Sequence, residues 1–349
     1  MNVDQVETPA VIVDLDVLEA NIRDLQAYLN RYGIKNRPHI KTHKVPEIAQ
    51  MQLAAGAVGI TCQKLGDAEV MCDSGIRDIF VTYNIIGDAK LQRLAGLAQR
   101  SEIKVSADSR VVVDGLSKAA REFGFSLRVL VEFDTGLGRC GVQSPAEAVE
   151  LGERIARSPG LRFGGLMTYP LNQHTAGFIE DTARRLTDAA LPLETVSVGG
   201  THVIRQAHLY PWITEYRAGM YAYGDRLTVK SGAVPLERCA LKVLSTVVSR
   251  PTAERAILDA GSKSLGTDLL GLDGYGLILE YPDIRLPALS EEHGHCVLTA
   301  PSHRPEIGER VSVLPNHCCL VSNLFDRVYG VRGGVVEKEF KVAARGKVV

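Results

Sequence analysis

Eight residues, Arg-Pro-His-Ile-Lys-Thr-His-Lys from Arg37 to Lys44, stand where the first of a series of apolar runs ends. A lysine between two histidines at such a point has the rigid base of a strand end. Neighbouring cations and partial desolvation supply the free amine that a Schiff base requires. We therefore take Lys41 as the candidate nucleophile. The competing interpretation is a basic surface loop, because most lysine side chains are solvated.

Short apolar runs alternate with amphipathic stretches from residue 36 onward, a pattern typical of repeated strand–helix units around a parallel sheet. The strand candidates end near Ile40, Cys62, Thr82, Ser106, Phe133, Thr168, Val198 and Arg217. Helical patterns lie between them, for example over Glu47–Ala57 and Ala146–Ser158. Eight units predict a closed (β/α)8 barrel of the TIM type. The alternative, a flavodoxin-like open sheet, fits eight uninterrupted units less well.

The rhythm changes after about residue 225, where short β-rich runs are separated by Gly, Pro and Asp. These runs are Leu241–Ser249, Arg255–Leu258, Gly276–Glu280 and Arg310–Val313. The sequence therefore predicts an α/β barrel over residues 15–225 and a second, C-terminal all-β domain over residues 226–349, joined by an N-terminal strand within residues 1–14.

Composition and charge exclude several classes of protein. The chain has 349 residues, is 45% hydrophobic and carries 40 Lys and Arg against 41 Asp and Glu. It can bury a large core, but it has no basic stripe for nucleic acid. No apolar run approaches the roughly 18 residues of a membrane span and no secretory leader is recognisable, so we expect a cytoplasmic protein. The seven cysteines form no repeated Cys-x-x-Cys framework and are expected to be thiols or metal ligands.

Functional groups of such barrels gather at the carboxyl ends of the strands. Four distinctive residues fall there, after the first, second, fifth and sixth predicted strands: Lys41, Gln63, Arg139 and Tyr169. Glycine-rich turns follow the last two strands, at Gly199–Thr201 and Gly219–Tyr221. Backbone N–H groups in such turns bind phosphate, so we expect a phosphorylated ligand. A mere turn is the alternative for each glycine pair taken alone.

A second group of chemical residues lies in the segment Leu-Pro-Asn-His-Cys-Cys, Leu314–Cys319. In extended backbone, positions i and i+2 point to one side, so His317 and Cys319 would bind one divalent ion, and Cys318 would face away. The remaining coordination positions would stay open for substrate. The alternatives are a buried structural histidine beside inert cysteines, and a closed zinc site, for which a second Cys or His pair is missing.

The chain resembles the D-threonine aldolase and D-serine dehydratase family of pyridoxal-phosphate enzymes, whose barrel is shared with alanine racemase. The resemblance covers nearly the full length. Its motifs are R-P-H-I-K-T-H-K, A-A-G-A-V-G-I-T-C-Q-K-L-G-D-A-E-V-M, G-L-G-R-C-G-V, L-S-E-E-H-G-H and P-N-H-C-C. It implies that Lys41 holds the cofactor and that Tyr169 lies near the pyridine nitrogen. The other implied cofactor and metal contacts are Gln63 and Arg139 around the ring, Gly199, Gly200, Thr201, Gly219 and Tyr221 at the phosphate, and His317 and Cys319 at a divalent metal.

Two departures from the family leave the reaction open. Where its aldolases commonly read Tyr-His-Gly before a Gln-His pair, Tyr169–His174 reads Tyr-Pro-Leu-Asn-Gln-His. His174 is therefore expected to be the base, with His202 as the alternative. The metal motif His-x-Cys is more typical of the dehydratases, whereas the aldolases carry His-x-Asp.

These observations predict a lyase that depends on pyridoxal phosphate and on a divalent metal (Mn, Mg, Co or Zn). Its small-molecule substrate would be a D-configured β-hydroxy-α-amino acid. Cleavage to glycine and an aldehyde, with His174 taking the hydroxyl proton, is placed ahead of dehydration of D-serine or D-3-hydroxyaspartate to a 2-oxo acid and ammonia.

Two further classes of protein are weighed against this lyase. An amino-acid racemase is placed third, because racemases of this barrel use an opposed tyrosine and no metal. A non-catalytic cofactor carrier would lack the β-rich stretch after residue 225. The family resemblance also implies a homodimer.

Overall fold

The computed structural model of the protein describes residues 1–298 and 304–349. These residues form two compact units. The barrel unit comprises Gln26–Lys41, Ala49–Gly219 and Lys347–Val349, and the β unit comprises Met1–Leu25, Thr42–Ile48 and Met220–Gly346. No helix within the described residues is long and apolar enough to cross a bilayer.

Eight parallel strands form the sheet of the barrel unit. They are Lys35–Asn36, Ile60–Cys62, Asp78–Val81, Glu102–Ala107, Leu127–Glu132, Leu161–Met167, Thr195–Gly199 and Glu215–Arg217. The second to eighth strands pair in chain order, and the eighth pairs with the first. A parallel bridge between His39 and Thr61 joins the first strand to the second. The two ends of the sheet therefore meet, and the predicted (β/α)8 barrel is confirmed.

Helices alternate with these strands along the chain. They are Pro46–Ala54, Leu65–Asp73, Asp88–Ala98, Arg110–Phe123, Pro145–Arg157 and Gln173–Asp188, with 3-10 turns at Ile40–Thr42 and Thr201–Leu209. Arg110–Phe123 shows why the sequence folds this way, because its buried residues Val112, Val113, Leu116, Ala119 and Ala120 recur at helical spacing on one face. Gly124 ends this helix with a φ of 70°, a conformation that favours glycine.

The β unit is built on a nine-stranded sheet. Its strands are Ala10–Asp14, Leu241–Thr252, Arg255–Leu258, Gly276–Ile278, Arg285–Leu289, Gly294–Val297, Arg310–Pro315, Arg327–Arg332 and Val335–Lys341. The N-terminal strand lies inside this sheet, antiparallel to Leu241–Thr252 and parallel to Arg327–Arg332. The four β-rich runs predicted after residue 225 are therefore strands. Four further strands after residue 225 were not indicated by the sequence pattern.

Helices of the β unit connect these strands. The first helix, Leu15–Arg31, begins in the β unit, where Asp14 Oδ1 accepts a hydrogen bond from the backbone N–H of Val17 at 3.1 Å. Three short helices follow later in the chain, at Arg226–Lys230, Ser262–Leu265 and Cys318–Leu324, with 3-10 turns at Val3–Gln5 and Leu236–Arg238.

A buried ion-pair network lies among the strand starts of the barrel. Arg37 donates from Nε to Glu215 and from Nη1 to Asp78, each at 2.6 Å, and Lys104 Nζ lies 3.1 Å from Asp78. Although burial alone raises the pKa of the Asp78 and Glu215 carboxyls, Arg37 holds both below their usual values. Asp78 and Glu215 are the first residues of their strands, so the network lies at the end of the barrel that serves stability.

Candidate active site

Lys41 is half-buried in the 3-10 turn that follows the first barrel strand. The preceding residue, Ile40, is fully buried and anchors the turn. The Nζ atom of Lys41 lies 5.8 Å from the centre of the Tyr169 ring, which follows the sixth strand. The lysine thus has a fixed backbone and an aromatic neighbour from another strand.

His39 fixes the backbone of this turn through a defined tautomer. Gln63 donates from Nε2 to the carbonyl of Thr82 at 2.9 Å, so its Oε1 is the atom that faces His39 Nε2 at 3.1 Å. His39 Nε2 must therefore carry the proton and donate. His39 Nδ1 is then the acceptor for the backbone N–H of Lys41, at 3.5 Å. His39 therefore links the predicted site residues Lys41 and Gln63. Sequence reasoning had given His39 no role in the site.

Arg139 shares the Tyr169 ring with Lys41. Its Cζ lies 5.2 Å from the ring centre, and its Nη2 lies 3.7 Å from Glu132 Oε1. The Arg139 side chain is 47% exposed, whereas that of Glu132 is 6% exposed. Burial raises the pKa of Glu132, against the opposing charges of Arg217 and Arg139. An exposed arginine is thereby tied to a buried carboxyl at the end of the fifth strand.

The loop that carries Arg139 is folded around one carboxylate. Asp134 Oδ1 accepts hydrogen bonds from the backbone N–H groups of Gly136 at 3.0 Å and Leu137 at 2.9 Å, and both of its oxygens face the N–H of Gly138. Gly136 and Gly138 adopt φ values of 94° and 69°, which is why glycine stands at both positions.

The predicted phosphate turn after the seventh strand lies against Tyr169. A Cβ added at Gly199 would stand 3.3 Å from Tyr169 Cδ2 and 3.1 Å from the carbonyl oxygen of Arg217. Gly200 has a φ of 125° and precedes the 3-10 turn that begins at Thr201. The hydroxyl of Tyr216 donates to the Gly200 carbonyl at 2.6 Å. Glycine at position 199 therefore permits the approach of the ring to this turn.

The second predicted phosphate turn continues the eighth strand. Gly219 is half-buried and closes the main segment of the barrel unit, whereas Tyr221 is buried in the β unit. Arg217 ends the eighth strand, donates to Ser197 Oγ at 2.9 Å and to the Thr168 carbonyl at 2.7 Å, and has a pKa lowered to about 10 by burial. Sequence reasoning missed this arginine, although a charged residue at the end of an apolar strand signals it.

The predicted base His174 is exposed at the start of helix Gln173–Asp188. Its backbone N–H donates to the capping side chain of Asn172 at 2.9 Å. Its side chain lines a cavity of about 530 Å³ together with Thr135, Gly136, Leu171, Asn172, Gln173, Val203, Gln206 and Tyr210. None of the other predicted site residues lines this cavity. His202, the alternative base, is half-buried in the 3-10 turn after Gly200.

His317 and Cys319 of the β unit contact each other, but their backbone differs from the prediction. His317 is extended, whereas Cys318 begins a helix, so the predicted extended geometry of the segment is wrong. The cause is a distant residue, Asp225, whose Oδ2 accepts a hydrogen bond from the Cys318 N–H at 3.0 Å. Cys318 is fully buried and its thiol is hydrogen-bonded to that of Cys319, so it does not face away.

The electrostatics of this pair favour an imidazolium beside a thiolate. Burial alone would lower the pKa of His317, but the hydrogen bond and charge of Cys319, followed by Asp268, raise that pKa to about 9. The pKa of Cys319 lies well below its usual value, because Cys318 and then His317 donate to its sulfur. Thr42 Oγ1 also lies 3.2 Å from Cys319 Sγ.

These residues fit a metal with few protein ligands. One imidazole and one thiolate are a donor pair that suits zinc and related divalent ions. Among the residues that the structure describes, no three His, Cys, Asp or Glu side chains are grouped to hold a metal. An ion held by His317 and Cys319 alone would have its other coordination positions open to water and substrate.

The barrel residues also fit a pyridoxal cofactor. Lys41 lies at a strand end, and both Lys41 and Arg139 approach the Tyr169 ring. The glycine turn at Gly199 packs against the same ring. Arg217 of the eighth strand lies opposite Gly199 of the seventh. The second glycine turn begins at Gly219, two residues after Arg217, so the two turns follow neighbouring strands.

The chain is similar to known proteins over nearly its full length. Residues 13–227 match the family model of the alanine racemase N-terminal domain, and residues 240–331 match that of a putative serine dehydratase domain. A D-threonine aldolase of Arthrobacter sp. is 34% identical over 98% of this chain and 93% of its own length.

Two solved structures resemble the whole chain. The D-threonine aldolase from Filomicrobium marinum has a TM-score of 0.93 and 34% identity, covering 99% of this chain and 98% of its own. A cysteine-to-alanine mutant of D-threo-3-hydroxyaspartate dehydratase, in the metal-free form, has a TM-score of 0.85 and 27% identity, covering 98% of both chains.

Proposed function

Since the chain belongs to the family with an alanine racemase N-terminal domain and a serine dehydratase domain, we propose that it is a pyridoxal-phosphate- and metal-dependent lyase. Its substrate is a D-configured β-hydroxy-α-amino acid, and its main reaction is aldol cleavage to glycine and an aldehyde. The observation that carries this proposal is the convergence of Lys41 and Arg139 on the Tyr169 ring, which Gly199 adjoins. Relatives of nearly full-length similarity include a D-threonine aldolase.

Bound pyridoxal phosphate supplies an electron sink for a bond broken at the substrate α-carbon, and a divalent ion supplies a Lewis acid for the β-hydroxyl. Lys41 holds the cofactor and is positioned through its backbone by His39. Arg139 and Gln63 would contact the cofactor ring, and Tyr169 would lie near its pyridine nitrogen, as the family resemblance implies. Gly199, Gly200, Thr201, Gly219 and Tyr221 bind the phosphate. His317 and Cys319 hold the metal ion.

Aldol cleavage requires a base for the β-hydroxyl proton, and we assign that role to His174. The imidazole stands at the carboxyl edge of the barrel, after the sixth strand, and borders an open cavity. His202 is the second candidate, because it follows the glycine turn that adjoins Tyr169.

Dehydration is the second candidate reaction, and the thiolate ligand favours it. His-x-Cys at the metal resembles the dehydratases of the family, one of which is known as a metal-free cysteine mutant. In this reaction Lys41 would remove the α-proton while the hydroxyl leaves with its bonding electrons and a proton as water. The resulting enamine would tautomerise to an imine, and water would hydrolyse that imine to a 2-oxo acid and ammonia. D-serine and D-3-hydroxyaspartate are the corresponding substrates.

We further propose that the metal is Mn, Mg, Co or Zn and that the protein works in the cytoplasm. Two copies form a homodimer, and light scattering of the purified protein would test this oligomeric state. We also propose a barrel domain over residues 15–225 and a β domain over residues 226–349, joined by the N-terminal strand within residues 1–14.

One experiment separates the two reactions. The protein, loaded with cofactor and metal, is incubated with D-threonine, D-serine and D-3-hydroxyaspartate, and glycine and ammonia are measured in each mixture. The proposal expects glycine and acetaldehyde from D-threonine. Ammonia and a 2-oxo acid as the main products would instead establish the dehydratase, and the absence of both from all three substrates would refute the lyase.

A further inference from the structure

We propose that Asp268 is a positioning residue of the metal centre, which orients His317 so that Nε2 is the nitrogen presented to the divalent ion. This inference rests on the proposed function, which places that ion on His317 and Cys319. Asp268 lies 49 residues before the histidine, in the loop between the helix Ser262–Leu265 and the strand Gly276–Ile278.

The contact itself has the geometry that such a role requires. Asp268 Oδ2 lies 2.9 Å from His317 Nδ1, and the two side chains are 41% and 28% exposed. A carboxylate accepts only, so Nδ1 keeps its proton. When the ring gives up its second proton to bind a metal, the lone pair is therefore on Nε2. Metal-binding histidines commonly donate their second N–H to a carboxylate, which fixes the ring and raises its basicity.

The backbone around Asp268 is held by the residue that precedes His317. Asn316 is buried, and its Nδ2 donates to the carbonyls of Asp268 and Gly274, both at 2.9 Å. Its Oδ1 accepts from Arg226 Nη1 at 2.7 Å. One amide therefore ties both ends of the loop 268–274 to the histidine that the loop orients. This explains the asparagine of the Pro-Asn-His motif.

The helix before the loop is anchored by the Leu-Ser-Glu-Glu-His-Gly-His motif, to which no part of the proposed chemistry gives a role. The backbone N–H groups of Ser262 and Lys263 donate to the carbonyls of Ser290 at 2.9 Å and Glu291 at 3.1 Å. A Cβ at Gly261 would stand 2.4 Å from both the Glu291 carbonyl oxygen and the His293 nitrogen. The motif turn and the start of the helix are thus packed backbone to backbone.

The end of the same helix packs against the helix that carries Cys319. Gly266 has a φ of 74°, and a Cβ there would stand 2.3 Å from Leu320 Cδ2. Leu320 follows Cys319 in the chain. The segment from residue 261 to Asp268 is consequently fixed at one end by the motif turn and at the other by the metal-binding helix, so the Asp268 carboxylate is presented by a rigid support.

The test measures metal binding directly. The full chain, loaded with cofactor and freed of metal, is titrated with Co²⁺, and the thiolate-to-cobalt absorption band reports occupancy at Cys319. Asp268→Asn keeps the size of the side chain and removes its charge, and Asp268→Ala removes the contact. Asp283→Asn is the matched control, because Asp283 is exposed elsewhere in the β unit. His317→Ala tests the ligand itself.

We expect Asp268→Asn to weaken Co²⁺ binding by about 10- to 100-fold, the range for partners of metal-binding histidines. The thermal unfolding of the metal-free protein should change only slightly, because the Asp268–His317 pair is partly exposed. A merely structural role of Asp268 would instead lower the unfolding temperature without this selective loss of metal binding. Asp268→Ala should weaken binding at least as much, and Asp283→Asn should bind as the unchanged protein does.

Two results would overturn the inference, and they differ in what they leave standing. Unchanged Co²⁺ binding in both Asp268 variants, with binding lost in His317→Ala, would refute the role of Asp268 and leave the proposed metal site intact. Unchanged binding in His317→Ala would refute the proposed metal site and the inference together.

Discussion

The Nζ atom of Lys41 lies 5.8 Å from the centre of the Tyr169 ring, and the guanidinium of Arg139 lies 5.2 Å from the same centre. Both distances are within the range of cation–π attraction. The lysine and the arginine come from the first and fifth strand ends, so a side chain from the sixth strand brings them to one place. A planar cofactor held by Lys41 would therefore find its arginine partner already positioned.

Lys41 is expected to be the only lysine that holds the cofactor covalently. The purified protein loaded with cofactor should be yellow, and borohydride treatment should fix pyridoxal phosphate to a single peptide that contains Lys41, as mass spectrometry would reveal. Lys41→Ala should be inactive and lack the label. Lys64→Ala is the control and should keep it, since Lys64 Nζ stands 3.9 Å from the centre of another ring, Tyr83. Labelling at Lys44 or Lys64 would contradict the assignment.

Chelation should abolish turnover and leave the absorbance of the bound cofactor intact, because the metal acts on the substrate and the cofactor is held by Lys41. Cys319→Ala should behave in the same way. Cys318→Ala should have a mild effect, because its buried thiol donates a hydrogen bond to Cys319 but is not a proposed ligand. Metal content by atomic emission and turnover of D-threonine check each variant. Full activity in a verified metal-free preparation would rule out the metal mechanism.

His174→Ala should lower the rate of glycine formation from D-threonine by about 10²- to 10⁴-fold, the usual cost of losing a positioned general base. Exchange of the substrate α-proton in deuterated water should continue, because it needs Lys41 and no base at the hydroxyl. His202→Ala is the comparison. An unchanged rate in His174→Ala, with loss of activity in His202→Ala, would transfer the base to His202.

Arg37→Met should destabilise the protein by about 3–5 kcal/mol at pH 7, because it strands a buried carboxylate. Arg37 lowers the pKa of Asp78 and Glu215 in the folded state. Its stabilisation is therefore complete above their unfolded pKa of about 4 and is lost as the pH falls through the lower folded values. Urea unfolding between pH 7 and pH 3 should show the deficit of the variant shrinking towards acid.

Arg100→Met provides the control for that network. Arg100 pairs with Asp73 at 2.7 Å, but both side chains are at least half exposed. Exposed pairs contribute little to stability, so this variant should unfold like the unchanged protein at every pH. An equal loss in the two variants would argue against burial as the source of the effect.

Gly199→Ala should weaken cofactor binding, because its Cβ would press on Tyr169 and on the Arg217 carbonyl. Overpacking of this kind costs about 1–3 kcal/mol. Gly177→Ala is the matched control, since a Cβ in that exposed helical position meets no atom within 4 Å. It should stabilise the protein by up to ~1 kcal/mol. Titration of the cofactor-free protein with pyridoxal phosphate, followed by absorbance, distinguishes the two.

The sequence predicted the barrel and its rim because both depend on local patterns. Each apolar run was followed by a polar or glycine-rich turn, and parallel strands bring such turns to one edge. Lys41 and Tyr169 could therefore be expected near each other without any knowledge of long-range contacts. The family resemblance, carried by ordered motifs, added the identity of the cofactor.

The contacts that the sequence did not reveal join residues far apart in the chain. Asp225 lies 93 residues before Cys318 and accepts the hydrogen bond of the Cys318 N–H, at the point where a helix begins. Asp268 stands in a loop without period or motif, so nothing near it indicates that it contacts His317. The sequence pattern assigned no role to Arg37, which is buried between two carboxylates. Each of these roles is decided by tertiary contacts, which override local pattern.

The position of the strand Ala10–Asp14 inside its sheet bears on how the protein is made. On the ribosome, Val11 emerges more than 200 residues before Val243, its partner in the neighbouring strand. At common rates of synthesis that interval lasts roughly 10–50 s. The barrel strands that follow can pair with one another as they are made. The apolar strand Ala10–Asp14 has no partner strand for its backbone N–H and C=O groups during that time. Nascent chains stalled before residue 241 should therefore be the ones that chaperones retain and that aggregate when released.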